Sequence, residues 1–500
     1  MRLIQYLLKK TDYLLIAAVY LFYYFYAVTN IHEIIIPSRG TDPFAFDLVT
    51  DIILAKGVLL KGCPAYFFCP LYAYFAYMIK LLVAGNPFIY FRILIFVQVT
   101  VFFISTIYFR KLASLLFKNN VSRLAYYMYS LYPPFIFYSV LPTKTVLATA
   151  CFTFFLYNFI RYIQSRAVWS IVIAGLFLGV ILHFRGNCAV LIPVVCVYLV
   201  RKRAFWHSVV FLAGVIVLIA PFFLRNCLIA HEPVVLSSVG GIHLYIGNNE
   251  TASGTYSVID GVDASMFGHY FDAKRVAQQQ TGSTLTDSGL NRYWKTKAYR
   301  FIITHPLNTL YLASRKIFLA VNHVMISNNY SILFFRKEYL PFAISFIPYN
   351  FAFLFVTGML GFLYGRIRYK SLLATCFVLL WLSTAVIFIA DRYRLPLTLF
   401  LMLNSIGFIN GIAEKKIRIT AAVISLGLIF VLITLYPAFS YDQTFMTIAY
   451  KKNAYCRNMI AKHKQMGNAE FMDLYQREKQ SYARSFTSLP LLVAHTIEEH

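Results

Sequence analysis

Charged residues are scarce in this chain of 500 residues, and acidic residues are the scarcest of them. Only 13% of the residues carry a charge, and 20 Asp and Glu stand against 46 Lys and Arg. Hydrophobic residues make up 59% of the chain, and the mean hydropathy is +0.64. So few charges exclude a soluble globular protein, because such a protein carries about twice this share of charged residues.

Metal-ligand patterns and internal repeats are lacking as well. The eight cysteines show no spacing typical of a metal site, and the chain has no internal repeat of the kind common in transporters. Cys63 and Cys69 lie in one polar segment, and Cys188 and Cys227 lie at the ends of apolar runs. Either pair could form a disulfide in an oxidising compartment, and the spacing does not decide the matter.

The chain has instead eleven apolar runs, at 13–29, 90–108, 121–140, 144–162, 168–184, 188–200, 205–224, 340–364, 371–390, 395–412 and 418–436. Most of them reach the roughly 17–25 residues that cross a bilayer as a helix. Two short runs form a predicted hairpin around Arg185-Gly186-Asn187. The first run lacks the small-residue cleavage site of a signal peptide, so we expect a retained anchor. The sequence therefore predicts an all-α polytopic membrane protein.

Basic loops between these runs predict the topology. Six clusters each follow an even number of crossings: Arg2 to Lys10, Arg110 to Arg123, Arg161 to Arg166, Arg201 to Arg203, Arg366 to Lys370 and Lys415 to Arg418. Short basic loops stay in the cytoplasm, which predicts a cytoplasmic N-terminus and an extracytoplasmic C-terminus in the inner (plasma) membrane. The net charge of +26 then indicates contact with the lipid bilayer, not with nucleic acid.

The outward segments are 30–89, 134–143, 185–187, 226–338, 391–393 and the tail from about 437. In the first of them, apolar residues recur at helical spacing after Pro43, which predicts a helix in the membrane interface with Asp42 as its N-cap. Asp42 is either a simple cap or a general base held at the membrane surface. The aromatic segment 67–75 predicts a second interfacial helix.

Two further outward segments carry candidate binding residues. Residues 237–249 alternate apolar positions between glycines and predict a short strand or extended stretch that ends in a turn at Asn248-Asn249. The two asparagines are equally typical of plain turn chemistry. Arg392 and Arg394 stand at a helix start, where cations oppose the helix dipole and favour an anionic partner such as a phosphate. The alternative is that both arginines reach lipid head groups.

These residues resemble the GT-C fold of polytopic glycosyltransferases, in particular the bacterial family 39-like proteins, whose relatives include protein mannosyltransferases and lipid A aminoarabinose transferases. Their first outward loop opens with a carboxylate pair, followed at fixed distances by an aromatic, a small residue and a glycine. The matching positions here are Asp42, Phe46, Thr50 and Gly57. Segments 70–72, 240–249 and 392–396 resemble later motifs of that family, and the resemblance covers about residues 10–436.

The resemblance implies inverting transfer of a sugar from a polyprenyl-phosphate-linked donor to an extracytoplasmic acceptor, which would be an envelope glycan, a lipid or a protein. Asp42 would be the catalytic base, with Asp47 and Asp51 as reserve carboxylates. The implied phosphate-binding residues are Arg392, Arg394, Arg185 and Lys316, and the implied substrate-loop residues are Tyr245, Gly247, Asn248 and Asn249. No cofactor is implied, and a divalent metal is disfavoured because Pro43 replaces the family's second carboxylate.

Two other functions remain open at this stage. A lipid-linked sugar transporter or flippase would place its ionisable residues in mid-bilayer, whereas these lie at the ends of the runs. A glycan polymerase or ligase would differ only in its acceptor. The chain divides into a membrane module, 1–436, and an extracytoplasmic helical tail, 437–500, in which Gly467-Asn468-Ala469 resembles the turn of a single tetratricopeptide unit.

Overall fold

The computed structural model describes residues 2–37, 40–83, 86–117, 121–326, 329–345, 349–435 and 468–484. These residues form helices and connecting turns, with one isolated bridge between Ile259 and Val262 and no strand in the described ranges. The predicted all-α class is therefore confirmed for this part of the chain.

The helices fall into three stretches of the chain. The first contains α1 (Arg2–Thr29), α2 (Ile31–Ile34), α3 (Asp42–Lys56), α4 (Leu71–Leu82), α5 (Pro87–Leu116), α6 (Ser122–Ser130), α7 (Pro133–Ser139) and α8 (Lys144–Ser165). The second contains α9 (Val168–Phe184), a 3-10 turn (Gly186–Val190), α10 (Leu191–Arg201), α11 (Phe205–Leu228), α12 (Gly240–Gly247), α13 (Phe271–Thr281), α14 (Asp287–Thr304) and α15 (Pro306–Ala320). The third contains α16 (Ile332–Glu338), α17 (Leu340–Ser345), α18 (Phe351–Tyr364), α19 (Lys370–Thr384), α20 (Asp391–Ala413), α21 (Ala421–Leu435) and α22 (Asn468–Arg484).

Five of these helices are long and apolar enough to cross a membrane: the Lys10–Thr29 part of α1, α5, α8, α11 and α20. Shorter apolar helices accompany them, namely α4, α9, the 3-10 turn with α10, α18, α19 and α21. Together they make the chain a multi-pass membrane protein.

Two predicted crossings are not continuous helices. Run 121–140 is broken into α6 and α7, because Pro133 and Pro134 have no N–H to continue the hydrogen-bond ladder and instead occupy the first turn of α7. Run 340–364 is divided into α17 and α18, with residues 346–348 outside the described residues. The turn predicted around 185–187 is present between α9 and α10.

Glycines let the membrane helices approach closely. A Cβ on Gly361 of α18 would lie 2.0 Å from the carbonyl oxygen of Asn404 in α20, so only glycine fits there. Gly175 in α9 meets the carbonyl of Phe211 in α11 in the same way, at 2.3 Å. The Gly361 contact sets how closely α18 and α20 pack, and the first turn of α20 carries Arg392.

The basic loops gather at one end of the bundle. The Gln164 side chain donates to the carbonyl of Leu115 (2.8 Å), and the Arg368 N–H donates to the carbonyl of Leu116 (3.0 Å). Asp12, in α1, pairs with both Arg110 and Arg123, at 3.1 and 2.9 Å. Contacts of this kind bring basic clusters that are far apart in sequence close to one another.

The opposite end is covered by a cap built from α12 to α15. Its small core includes Ile242, Ile246, Leu290 and Trp294, all nearly inaccessible to solvent. The strand predicted within 237–249 is wrong, since this segment forms α12. Ile242 and Ile246 are buried together at i,i+4 spacing, and in so short a run alternation and helical periodicity look alike.

Two neighbouring residues at the end of α11 attach the first outward segment to this cap. The Arg225 guanidinium donates to four carbonyls, those of Leu59, Leu60, Cys63 and Pro64, at 2.7–3.1 Å. Asn226 Oδ1 accepts from the N–H of Tyr66 (3.1 Å). All seven described cysteines are free, including both candidate disulfide pairs.

The tail contributes one described helix, α22, which packs on α3. The Tyr475 and Tyr482 rings contact Phe44 edge-on, with centroids 5.8 and 5.3 Å away. Most of the predicted tail domain and the first helix of the tetratricopeptide-like unit lie outside the described residues. The contacts of α22 nevertheless place part of the tail against the first outward segment.

Candidate active site

Asp42 stands in the first turn of α3 and is not its cap. Thr41 is the N-cap, and its Oγ1 accepts from the N–H of Phe44 (3.4 Å), so the predicted capping role of Asp42 is wrong. Oδ2 of Asp42 instead accepts a hydrogen bond from Nη1 of Arg392, with 2.5 Å between the atoms. Its backbone N–H donates to Asn329 Oδ1 (3.4 Å). The carboxylate is thus directed away from the helix and is available for chemistry.

Arg392 is held in place by the first turn of α20. Asp391 Oδ1 accepts from the backbone N–H of Arg392 (2.6 Å) and from the hydroxyl of Tyr138 (2.9 Å). An acidic side chain at this position also stabilises the positive end of the helix dipole. The Arg392 and Asp42 side chains are only 12% and 18% exposed, so their ion pair lies in a recess.

Two further cations border the recess. The Lys144 ammonium lies 5.4 Å from the Phe46 ring centre, interacts electrostatically with Asp42, Arg185 and Arg392, and donates to no described residue. The Arg185 guanidinium lies 5.3 Å from the Tyr393 ring centre, as the Arg392 guanidinium does on the same ring. The cations therefore outnumber the carboxylates of Asp42 and Asp391, and the recess attracts anions.

Polar atoms without partners line the same place. Within the described part of the chain, Nε of Arg185, Nε of Arg392 and Oδ2 of Asp391 are buried and make no hydrogen bond. Buried polar atoms are normally hydrogen-bonded, so each of these three is available to bind a ligand. Two unsatisfied guanidinium N–H groups match an anion that has several acceptor oxygens.

Sequence reasoning missed a histidine pair beside Asp42. His243 Nε2 and His269 Nδ1 lie 3.2 Å apart, and His269 Nε2 lies 2.8 Å from the Tyr256 hydroxyl. Both histidines interact electrostatically with Asp42. His243 stands inside a motif singled out from the sequence, but nothing in the sequence pairs it with a residue 26 positions later.

Burial and charge set the protonation states in the recess. Burial lowers the pKa of His243 to about 3 and that of His269 to about 4, so both are neutral at pH 7. Burial alone would raise the pKa of Asp42, but the charge and hydrogen bond of Arg392 outweigh it and hold that pKa well below its usual range. Asp42 is therefore ionised and electrostatically bound to Arg392.

Arg394 points away from Asp42. Its Nη1 donates to the carbonyl of Asn322 and its Nη2 to that of Val324 (3.1 Å), and its guanidinium stacks on Phe351 with 4.3 Å to the ring centre. These contacts fasten the turn that follows α15. Its predicted role at a phosphate stays a prediction, and the geometry favours an anchoring role.

Lys316 and the substrate-loop asparagines form a second structural cluster. Lys316 Nζ donates to Asn248 Oδ1 (2.9 Å) and to the carbonyl of Ala385 (3.2 Å), and burial lowers the pKa of Lys316 to about 8. Asn249 Oδ1 accepts from the N–H of Thr251 (2.8 Å), which is ordinary turn chemistry. Gly247 packs on the backbone of Ile387, whereas Tyr245 faces a separate cavity.

Asp47 and Asp51 lie farther along α3, in what we call the lysine clamp (Asp47, Asp51, Lys80 and Lys479). Lys80 Nζ lies 3.1 Å from Asp47 Oδ1, Lys479 Nζ lies 2.7 Å from Asp47 Oδ2, and both ammonium groups also contact Asp51. Burial would raise the pKa of Asp47, but the two ammonium groups keep it below its usual range.

A divalent metal does not fit the residues beside Asp42. Among the described residues, no three His, Cys, Asp or Glu side chains lie together in a way that could hold an ion. Arg392, which contacts the carboxylate directly, and Lys144, which interacts with it electrostatically, would moreover repel a divalent cation.

Comparison with known proteins gives a distant structural likeness only. No protein-family model and no curated protein matches the chain. Among solved structures, the oligosaccharyltransferase AglB of the archaeon Archaeoglobus fulgidus, in complex with an inhibitory peptide and a dolichol-phosphate, is 13% identical with a TM-score of 0.42, over 92% of this chain and 59% of that one. An oligosaccharyltransferase of Archaeoglobus fulgidus tethered with an acceptor peptide is 12% identical with a TM-score of 0.43, over 91% of this chain and 58% of that one.

This chain thus spans less than two thirds of the length of the structures it matches. A likeness at this identity and TM-score does not establish a family or an activity.

Proposed function

We propose that this chain is a membrane glycosyltransferase that moves a sugar from a polyprenyl-phosphate-linked donor to an acceptor on the outer side of the membrane. The observation that carries the proposal is the recess around Asp42. It combines one ionised carboxylate with Arg392, Arg185 and Lys144, and both arginines present a buried N–H that has no partner. A carboxylate can take the proton of an attacking nucleophile, and a cluster of cations can stabilise the negative charge of a leaving group.

The leaving group would be the lipid phosphate, bound mainly by Arg392 and Arg185. Guanidinium groups bind phosphate oxygens in a planar fork, which a point charge cannot reproduce. Lys144, which donates to no described residue, would add a third charge. Stabilising the negative charge that grows on the phosphate oxygen lowers the barrier to breaking the bond from that oxygen to the sugar C1.

Phosphate binding would also activate Asp42. In the unliganded recess the Arg392 pair makes Asp42 a weak base. A phosphate that competes for Arg392 weakens this pair, and the pKa of Asp42 then moves back toward its ordinary value. The Asp42 carboxylate next accepts the proton of the acceptor hydroxyl or amine. The acceptor atom bonds to C1 as the phosphate leaves from the opposite side, which inverts the configuration.

The histidine pair would shape the other wall of the recess. Because His243 and His269 are neutral, they add no charge that would compete with the arginines for the phosphate. Their hydrogen-bonded chain to Tyr256 fixes the ring positions and keeps that wall rigid.

The direct test is sugar transfer by the purified full-length protein in liposomes that contain radiolabelled polyprenyl-phosphate hexoses or pentoses. Asp42→Asn should lower the rate of polyprenyl-phosphate release by about 10²–10⁴, because an amide cannot accept the proton. Asp272→Asn is the matched control, since it removes one negative charge at a surface pair with Arg275. Labelled lipid that crosses the bilayer without losing its sugar would indicate a transporter instead.

A further inference from the structure

A cavity of about 280 Å³ opens in the cap, between α12, α13 and α14. We call it the cap cavity. It has room for about nine waters at about 30 Å³ each, which is enough for one or two sugar rings. Its wall combines the rings of Tyr245 and Trp294 with polar side chains, among them Glu250, Asp260 and Gln280. Neither Asp42 nor any cation of the recess lines it.

The aromatic wall of the cap cavity is rigid. The Tyr245 and Trp294 rings lie 5.1 Å apart and are tilted by 42°. Trp294 is 1% exposed, and its indole N–H donates to the carbonyl of Ala273 (3.2 Å). The Lys297 ammonium lies 5.7 Å from the Tyr245 ring centre and 5.4 Å from that of Trp294. The Tyr245 ring is partly exposed and is supported from behind by the buried Trp294, so it offers a ligand an apolar surface that does not need to be ordered on binding.

The polar side chains retain hydrogen-bonding capacity. Glu250 and Asp260 are exposed and make no ion pair with any described residue. Gln280 Oε1 already accepts from Lys297 Nζ (2.7 Å) and from the Tyr293 hydroxyl, which leaves its amide N–H groups to donate. The cavity therefore offers carboxylate acceptors and amide donors around an aromatic surface.

This combination selects one class of ligand. A sugar ring has an apolar C–H face that packs on an aromatic ring, and a rim of hydroxyls that both donate and accept hydrogen bonds. An anionic ligand would be repelled by the two carboxylates, and a simple cation would leave the amide N–H groups of Gln280 without an acceptor. A lipid chain would leave these polar groups without partners. We propose that the cap cavity binds a neutral carbohydrate unit.

The position of the cavity relates it to the recess. α12 presents His243 to His269 beside Asp42, and presents Tyr245 to the cap cavity. A glycan bound in the cavity is thus one helix away from the site of transfer, which makes it an acceptor chain. The term acceptor rests on the proposed function, whereas the binding site stands on its own contacts.

The test is saturation-transfer NMR on the full-length protein in nanodiscs, with methyl glycosides of glucose, galactose, mannose, N-acetylglucosamine and arabinose as probes. At least one glycoside should bind at millimolar concentration. Asp260→Asn keeps the shape of the side chain and should weaken that binding about tenfold, as the loss of a charge-assisted hydrogen bond does. Tyr245→Ala should abolish it. Tyr299→Ala is the control, because this α14 residue is 53% exposed and does not line the cavity.

Two results would overturn the proposal: no saturation transfer to any of the five glycosides, or equal binding by the wild type, Asp260→Asn and Tyr245→Ala. Asp42→Asn separates this proposal from the proposed function, since it should bind the glycoside with wild-type affinity while failing to transfer sugar. If Asp42→Asn transfers normally, the catalytic proposal fails and the carbohydrate site stands.

Discussion

Two carboxylates five positions apart on one helix occupy opposite kinds of surroundings. Asp42, in the first turn of α3, meets a single cation in direct contact, and its side chain is 18% exposed in an open recess. Asp47, one turn and a half later, is 3% exposed and lies between two ammonium groups and the Tyr475 hydroxyl. Both are ionised, but only Asp42 keeps an appreciable part of its side chain accessible.

The difference shows how burial and the number of donors separate an accessible carboxylate from a structural one. Each oxygen of Asp47 already accepts from a lysine, and Oδ2 also accepts from Tyr475. The Asp47 carboxylate therefore has all its hydrogen bonds from protein groups, and exchanging one of them for a substrate would leave a buried charge unpaired. Asp42 and Arg392 instead lie beside N–H groups that have no hydrogen-bond partner, so an anionic ligand can bind these groups and compete with Asp42 for Arg392. The lysine clamp holds α3 and α22 together, and the recess uses the α3 terminus that the clamp fixes.

The largest expected effect comes from opening the lysine clamp. Lys479→Met leaves Asp47 and Asp51 buried with only Lys80, and breaking a buried pair in this way costs about 3–5 kcal/mol of unfolding free energy. Arg477→Met on the same helix is the matched control. Its pair with Asp473 is 68% and 60% exposed, so we expect a loss of at most about 1 kcal/mol.

Thermal unfolding in detergent measures this difference, and transfer per folded molecule should stay within the same order of magnitude in both variants. If Lys479→Met unfolds like the wild type but no longer transfers sugar, Asp47 belongs to the chemistry, and the contrast between the two carboxylates is void.

The second prediction concerns the two arginines at the start of α20. Arg392→Lys keeps the charge but loses the planar fork, so donor affinity should fall by about tenfold or more. Arg394→Lys loses its bonds to the carbonyls of Asn322 and Val324 and should lower stability without changing donor affinity. Binding of fluorescent polyprenyl-phosphate sugar to both variants tests this. Equal loss of affinity would restore Arg394 to the phosphate site.

The sequence was sufficient for the all-α class, because long apolar runs predict helices where lipid leaves no alternative. The sides of the membrane that the basic clusters predict stay a prediction. Asp42 and Arg392 were both singled out, and the structure brings them together from positions 350 residues apart. That pairing depends on the packing of α18 against α20 through Gly358 and Gly361, which no local pattern encodes.

The sequence predictions that were wrong concern places where two local structures are almost equally favourable. Thr41 and Asp42 both cap helices well, and the structure uses Thr41, which releases Asp42 for the recess. In 237–249 a short apolar run fits either periodicity, and burial of Ile242 with Ile246 decides for a helix. The lysine clamp and the histidine pair join residues from distant segments, so the sequence gives no signal for them.

The smallest expected effect is a pH dependence that belongs to the Asp42 end of α3 alone. A buried histidine whose folded pKa is lowered to about 3 or 4 contributes stability that is complete above its unfolded pKa, about 6.5, and is lost as the pH falls below that value. The pKa of Asp47 is also lowered, but for a carboxylate the loss begins only near its unfolded value of about 3.9. Between pH 6.5 and 5.5 the histidine pair should therefore respond, whereas Asp47 should not.

When the pH falls from 6.5 to 5.5, each of His243 and His269 should lower the free energy of unfolding by about 1 kcal/mol. The reason is that each histidine becomes protonated in the unfolded chain but stays neutral in the folded protein. His269→Gln preserves a hydrogen-bonding partner for Tyr256 and should remove about half of this loss. His305→Gln, at an exposed position, should leave the loss unchanged. Thermal melts at the two pH values decide the matter. If His269→Gln keeps the full pH dependence, the histidines beside Asp42 are protonated in the folded protein, and the recess carries more positive charge than its burial implies.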